Sequence, residues 1–274
     1  MKQPDHIKRV PPRRPIVMVA QTPPPHHGQA VMTQVLKEAL EEDFELHHVR
    51  MAFSGTIAEN KRLHAMKILK LFGVLVRTLA LLRRHRGAIL YYPPAPGHWV
   101  PILRDWILLA VCRPLAARTV FHFHARGLGA YLDRHPALPS FPWRNPDGAI
   151  VLGPSARSDA ERIGARRIEV IPYGLDMPSR TLPRDSSSDP VILFAGLHGE
   201  GKGLFDLLDT ARLLRDRGCS FRIRTAGEWE SEAVRERFEA RRAEIDLADC
   251  VETLGRLPRE KLWDAYAGAD IFFF

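Results

Sequence analysis

Apolar residues in this chain fall into two recurring patterns. Short runs such as IVMVA at 16–20 and VILFA at 191–195 alternate with longer stretches whose apolar residues recur every three or four positions. A short continuous apolar run reads as a strand buried on both faces, and the longer spacing reads as a helix with one buried face. Strands are predicted at 16–20, 45–51, 88–92, 119–124, 148–152 and 169–172, and helices at 29–42, across 61–86 and at 99–112. The stretch 178–190, PSRTLPRDSSSDP, has no periodicity and reads as a linker. The alternation then restarts, with strands at 191–195, 221–225, 250–254 and 271–274. Helices separate them at 203–217, 231–245 and 258–267, the first with Leu204, Leu207, Leu208, Ala211 and Leu214 on one face.

Strand–helix alternation gives a parallel sheet with helices on both faces. The expectation is therefore an α/β protein of two tandem Rossmann-like domains. Residues 1–14 form a basic tail, 15–178 the first domain, 179–190 the linker and 191–274 the second domain. The run at 271–274 looks like a buried parallel strand, yet nothing follows to cover it. The second domain is accordingly expected to be incomplete and the chain truncated.

Composition narrows the setting. A chain of 274 residues can bury a core without covalent staples, and Cys112, Cys219 and Cys250 have no paired spacing. This fits a reducing, cytoplasmic protein. The start MKQPDHIKRVPPRRP has no apolar segment behind it, so it is not an export signal, and no run approaches the roughly 20 apolar residues of a membrane span.

The net charge of +8 is unevenly placed. No acid occurs from Asn60 to Arg104, while Lys61, Arg62, Lys67, Lys70, Arg77, Arg83, Arg84 and Arg86 share one helical pattern at 61–86. Lys70, Arg77 and Arg84 repeat every seven residues, with Leu, Phe, Val and Ile over the rest. Such a helix is either a solvated outer face or a peripheral contact with an anionic membrane, here the inner face of the cell membrane. No nucleic-acid-binding signature is present, so nucleic acid is not an expected partner.

In an open parallel sheet, ligands bind beyond the carboxyl ends of the strands. Three loops there carry chemistry. QTPPPHHGQA at 21–30 ends in Gly28 and Gln29, where a helix start aims its N–H groups and positive dipole at a ligand. It lacks the dinucleotide fingerprint GxGxxG; an ordinary proline-stiffened turn is the plain alternative. FHFHARGLG at 121–129 puts His122 and His124 on one strand face, with His124 and Arg126 at the carboxyl end. A histidine there can meet a sugar hydroxyl and an arginine a phosphate, or the histidines are simply packed. The HxH pair has no apparent third ligand, so no metal site is read from it.

FAGLHGEGKG at 194–203 joins a strand to an amphipathic helix. Backbone donors, helix dipole and the Lys202 charge converge there, as a diphosphate requires. The same loop matches GxxxxGK from Gly196 to Lys202, but Gly203 stands where a P-loop needs Ser or Thr for magnesium. IPYGLD at 171–176 brings Tyr173 and Asp176 to the mouth of the first domain, and no Asp-x-Asp occurs for a metal-held nucleotide sugar.

Taken together, PPPHHG, FHFHARG, IPYGLD, ILFAGLHGEGKGLFDLLDTARLL and VETLGRLPREKLWDAYAGADIFFF resemble, in order and spacing, the retaining GT-B glycosyltransferases of family 4 (glycosyltransferase group 1). The resemblance implies two Rossmann domains with the active site in the cleft between them. It implies sugar transfer from a nucleotide-diphosphate donor to a saccharide or lipid-linked acceptor in surface-polysaccharide synthesis, with retention, no essential metal and no cofactor. By position, His124 would lie by the transferred sugar and Lys202 would neutralise the leaving phosphate. Gly28, Gln29, Arg126, Gly196, His198, Gly201 and Gly203 would serve donor and phosphate binding.

Two departures stand out. Leu197 occupies the place of the family's arginine, so His198 is expected to substitute in part. The family's Glu-x7-Glu donor segment would fall beyond Phe274. The competing expectations are a non-catalytic module docking on a membrane or partner, and a P-loop phosphotransferase.

Overall fold

A computed structural model of the chain describes residues 14–24, 28–51, 64–174 and 189–274. It divides into two compact units, Met1–Gly174 and Leu175–Phe274. Most of the basic tail and of the linker, together with Lys61, Arg62 and Asp176, lies outside the described residues.

Unit 1 runs β1 (Pro15–Ala20), α1 (Gly28–Asp43), β2 (Glu45–Arg50), α2 (His64–Arg84), β3 (Ile89–Tyr92) and α3 (Trp99–Cys112). It continues through β4 (Arg118–Phe123), α4 (Leu128–Arg134), β5 (Gly148–Val151), α5 (Arg157–Arg162) and β6 (Ile168–Val170). All its strands are parallel, in the order β2-β1-β3-β4-β5-β6. Alternation along β1 explains the two-sided core. Val17 and Val19 pack with Leu90, Phe121, Leu108 and Trp143 on one face, and Ile16, Met18 and Ala20 pack with Leu36 and Leu40 of α1 on the other. The order reverses between β1 and β3, and such a switch point opens a crevice at the carboxyl ends of the two strands.

Unit 2 runs β7 (Val191–Ala195), α6 (Leu204–Asp216), β8 (Arg222–Ala226), α7 (Glu232–Glu244), β9 (Val251–Gly255), α8 (Arg259–Ala267) and β10 (Ile271–Phe273). Its parallel order is β10-β7-β8-β9, so its switch point lies between β7 and β10. Leu204, Leu207, Leu208 and Ala211 of α6 are buried as their spacing predicts. β10 pairs with β7 but forms the sheet edge, leaving Ile271 53% and Phe272 45% exposed.

The sequence reading also missed α4 and α5, of seven and six residues. Too few turns exist there for a 3.6-residue period to show, and their Gly and Asp content reads as loop.

In α2, Val74, Thr78 and Leu82 face the core, while Ile68, Leu69, Phe72 and Val76 are exposed beside Lys70, Arg77 and Arg84. No helix among the described residues is long and apolar enough to cross a membrane.

Candidate functional site

In unit 1, the loop after β1 is held from the neighbouring strand. Arg50, at the end of β2, donates from Nε to the Thr22 carbonyl (3.3 Å) and from Nη2 to the Pro24 carbonyl (2.5 Å). Gly28 is the first residue of α1, where an added methyl group would meet no atom among the described residues. It is exposed at the start of this sixteen-residue helix, with Gln29 half-buried beside it.

Beyond β3 and β4 the polar groups are linked by side chains. His122 is buried (7% exposed), and the Tyr91 hydroxyl is hydrogen-bonded to its Nδ1 at 2.7 Å. Burial lowers the His122 pKa to about 4 and raises that of Tyr91, so both stay neutral. The His124 ring lies 4.1 Å from that of His122, as strand alternation requires, and is half-buried. Tyr173 stacks on His124 and its hydroxyl bonds His124 Nδ1 at 2.5 Å. Burial pushes the Tyr173 hydroxyl up to about 12, so it remains a phenol. The cluster Tyr91, His122, His124 and Tyr173 thus positions the His124 imidazole through ring contacts and a hydrogen bond. Arg126 is exposed in the next turn, and Asp176 lies outside the described residues.

Two buried carboxylates shape these loops, and the sequence reading singled out neither. Asp105, on the apolar helix α3, accepts from the Tyr92 hydroxyl (2.7 Å), the Ala95 N–H (2.7 Å) and Arg104 in a two-pronged pair (2.9 and 2.7 Å). It fixes the turn after β3. Asp159 of α5 accepts from the N–H groups of Gly127 (2.7 Å) and Gly129 (2.8 Å) and so occupies the start of α4. The available signal for Asp105 was a lone acid within WVPILRDWILLAVC, where an unpaired charge is costly.

In unit 2, the loops after β7 and β8 run side by side. The His198 N–H donates to the Glu228 carbonyl (2.8 Å), and the Glu230 N–H donates to the His198 carbonyl (3.0 Å). Contact is so close that a Cβ at Gly227 would sit 1.7 Å from the Gly196 carbonyl oxygen. The 196–203 loop then makes a short 3-10 turn at Glu200–Lys202, and Gly203 enters α6 with φ +78°, a left-handed conformation suited to glycine. Gly196, Gly201 and Lys202 are exposed. Glu200 is paired by Arg237 of α7, and among the described residues the Lys202 ammonium has no hydrogen-bond or ion-pair partner.

His198 sits differently from the other loop residues. It is fully buried, its ring 4.6 Å from Trp229 and 5.8 Å from Phe194, and both ring nitrogens lack partners among the described residues. Burial lowers its pKa to about 4, so the ring is neutral near pH 7. The neutral ring is packed against aromatic side chains and adds no positive charge to the loop. The cation left in the loop is Lys202.

No protein-family model and no curated protein matches the chain. Solved structures do match. Sucrose-phosphate synthase from Thermosynechococcus elongatus superimposes with a TM-score of 0.65 at 16% identity, over 95% of this chain and 75% of that one. HepE of Anabaena in complex with UDP and glucose gives 0.59 at 12% identity, over 95% and 73%. The apo lipopolysaccharide outer core galactosyltransferase WaaB gives 0.58 at 11%, over 94% and 73%. The chain has the GT-B fold. At these identities the likeness is one of fold, and the function must be argued from the site. Within the GT-B fold, the loops singled out above follow β1, β4 and β7, the first and last at the two switch points.

Proposed function

We propose that this protein is a glycosyltransferase. It moves a sugar from a nucleotide-diphosphate donor to a saccharide or lipid-linked acceptor, with retention, without an essential metal or cofactor, in cytoplasmic surface-polysaccharide synthesis. The observation that carries the reading is the 196–203 loop, where exposed glycines and a lysine with no partner among the described residues stand at the start of α6 on the sheet's switch point. The GT-B fold supports it, as does the fact that HepE, one structure of that fold, binds UDP and glucose.

The chemistry follows from charge. As the bond from the sugar to the diphosphate breaks, negative charge grows on the departing phosphate, and a fixed ammonium with backbone N–H donors lowers that barrier. Lys202 is assigned that role, with Gly196, Gly201 and Gly203 leaving the backbone accessible. Gly28, Gln29 and Arg126 are assigned to donor binding. His124, oriented by Tyr173 and His122, is assigned to a hydroxyl of the transferred sugar.

A second observation favours a lipid-linked acceptor. The exposed Ile68, Leu69 and Phe72 beside Lys70 and Arg77 make α2 suited to lie on an anionic leaflet. The test of the whole reading is incubation with a panel of nucleotide-diphosphate sugars, with and without EDTA, following nucleoside diphosphate release and product anomeric configuration. The expected result is EDTA-resistant release with retention. Release from no donor, or magnesium-dependent triphosphate hydrolysis instead, contradicts it.

A further inference from the structure

At the opposite end of the first sheet from these loops, three potential metal ligands converge. Glu45 opens β2 and His47 lies two residues on, so both point to the same side of the strand. His85 follows the last residue of α2, where its N–H donates to the Leu81 carbonyl (2.8 Å) and its carbonyl accepts from Ala88 (3.0 Å). Its backbone is thus held in the turn that follows α2.

The Glu45 Oε1 atom lies 3.0 Å from His47 Nε2 and 3.2 Å from His85 Nδ1. The two rings face each other with centroids 3.8 Å apart, and one ligand atom from each residue falls within 4.8 Å of the other two. Zinc held tetrahedrally at about 2.0–2.1 Å has ligand atoms roughly 3.3 Å apart. Both oxygen–nitrogen separations already match that spacing. The imidazole side chains are 24% and 18% exposed and the carboxylate 48%, leaving one side open to water as a fourth ligand.

We propose that Glu45, His47 and His85 form a binding site for a zinc-type divalent cation. Two imidazoles and one carboxylate select a late first-row ion over calcium or magnesium, which require oxygen ligands. Arg83, Arg84 and Arg86 flank His85 and are exposed, and their charge opposes any cation, so the affinity comes from the imidazoles. Bound metal would tie the end of α2 to the edge strand. The site is separate from the donor loops, and transfer without an essential metal is unaffected by it. His47 and His85 stand 38 positions apart, which hides the site from a search for short ligand spacings.

The test is titration of the whole chain with Zn²⁺ and with Co²⁺ alone, reading stoichiometry, the cobalt visible spectrum and the unfolding temperature. The expected result is one equivalent bound, an intense four-coordinate cobalt band and a metal-dependent rise in Tm. His85→Ala and Glu45→Gln should each weaken binding by about tenfold or more. His47→Gln keeps a hydrogen-bonding group beside Glu45 but removes the imidazole, so its metal-free Tm stays at the parent value while the cobalt band is lost. No binding, or binding that survives these substitutions, overturns the site and leaves a hydrogen-bonded surface trio.

Discussion

The loops that follow β4 and β7 solve the same problem in opposite ways. After β4, the imidazole of His124 is set by side chains, by the His122 ring that Tyr91 bonds and by Tyr173. After β7, shape comes from the backbone, with glycines letting two loops touch and one lysine left exposed. The first arrangement concentrates its energy in buried polar bonds, so it should fail when a partner is removed. The second concentrates it in close backbone packing, so it should fail when volume is added.

The largest expected effect is in unit 1. Asp105→Ala removes the buried carboxylate that Arg104, Tyr92 and the Ala95 N–H share, and should destabilise the unit by about 3–5 kcal/mol in urea unfolding. In unit 2, Gly227→Ala places a methyl against the Gly196 carbonyl and should cost about 3 kcal/mol. Gly196→Ala, whose added methyl meets no atom, should be within about 1 kcal/mol of the parent. Equal effects at the two glycines would break the comparison.

The two buried histidines sharpen it through pH. Each is neutral when folded, with a pKa lowered from 6.5 to about 4. The unfolded state therefore binds protons first as pH falls. Stability is full above about pH 6.5 and declines towards pH 4, by up to about 3 kcal/mol per histidine. His198→Phe should flatten that decline for unit 2 alone, as measured by urea midpoints at pH 4.5 and 7. An unchanged slope would place His198 in a more polar environment than its contacts describe.

Smaller effects concern binding. Lys202→Ala should lower affinity for a nucleoside diphosphate, and turnover with a donor, by about tenfold while leaving stability within about 0.5 kcal/mol. Reversing one charge on α2, as in Arg77→Glu, should weaken co-sedimentation with phosphatidylserine vesicles by an amount on the order of 1 kcal/mol. Neutral vesicles should show no such difference.

How much of this was legible in the sequence depends on the kind of interaction. The strands β1 and β7 and the buried face of α6 were read from local periodicity, because a sheet covered on both sides imposes a continuous apolar run. The row His122–His124 was also local, since alternation places both on one face. Asp105 with Tyr92, Asp159 with Gly127 and Arg50 with Pro24 join positions 13, 32 and 26 residues apart, and no local pattern encodes such pairs. The surroundings of His198 were hidden for a related reason. In FAGLHGEGKG it looks like an ordinary loop residue, but the neighbouring β8 loop brings Trp229 against it. Its burial and its neutral ring come from that non-local packing.

The central claim is that the 196–203 loop of unit 2 binds a diphosphate. Calorimetric titration of the chain with UDP and GDP, with and without Mg²⁺, tests it most directly, with Lys202→Ala run in parallel. The account predicts metal-independent binding of at least one nucleotide, weakened about tenfold by the substitution. Binding that requires Mg²⁺, binding indifferent to Lys202, or no binding by a folded chain would contradict it.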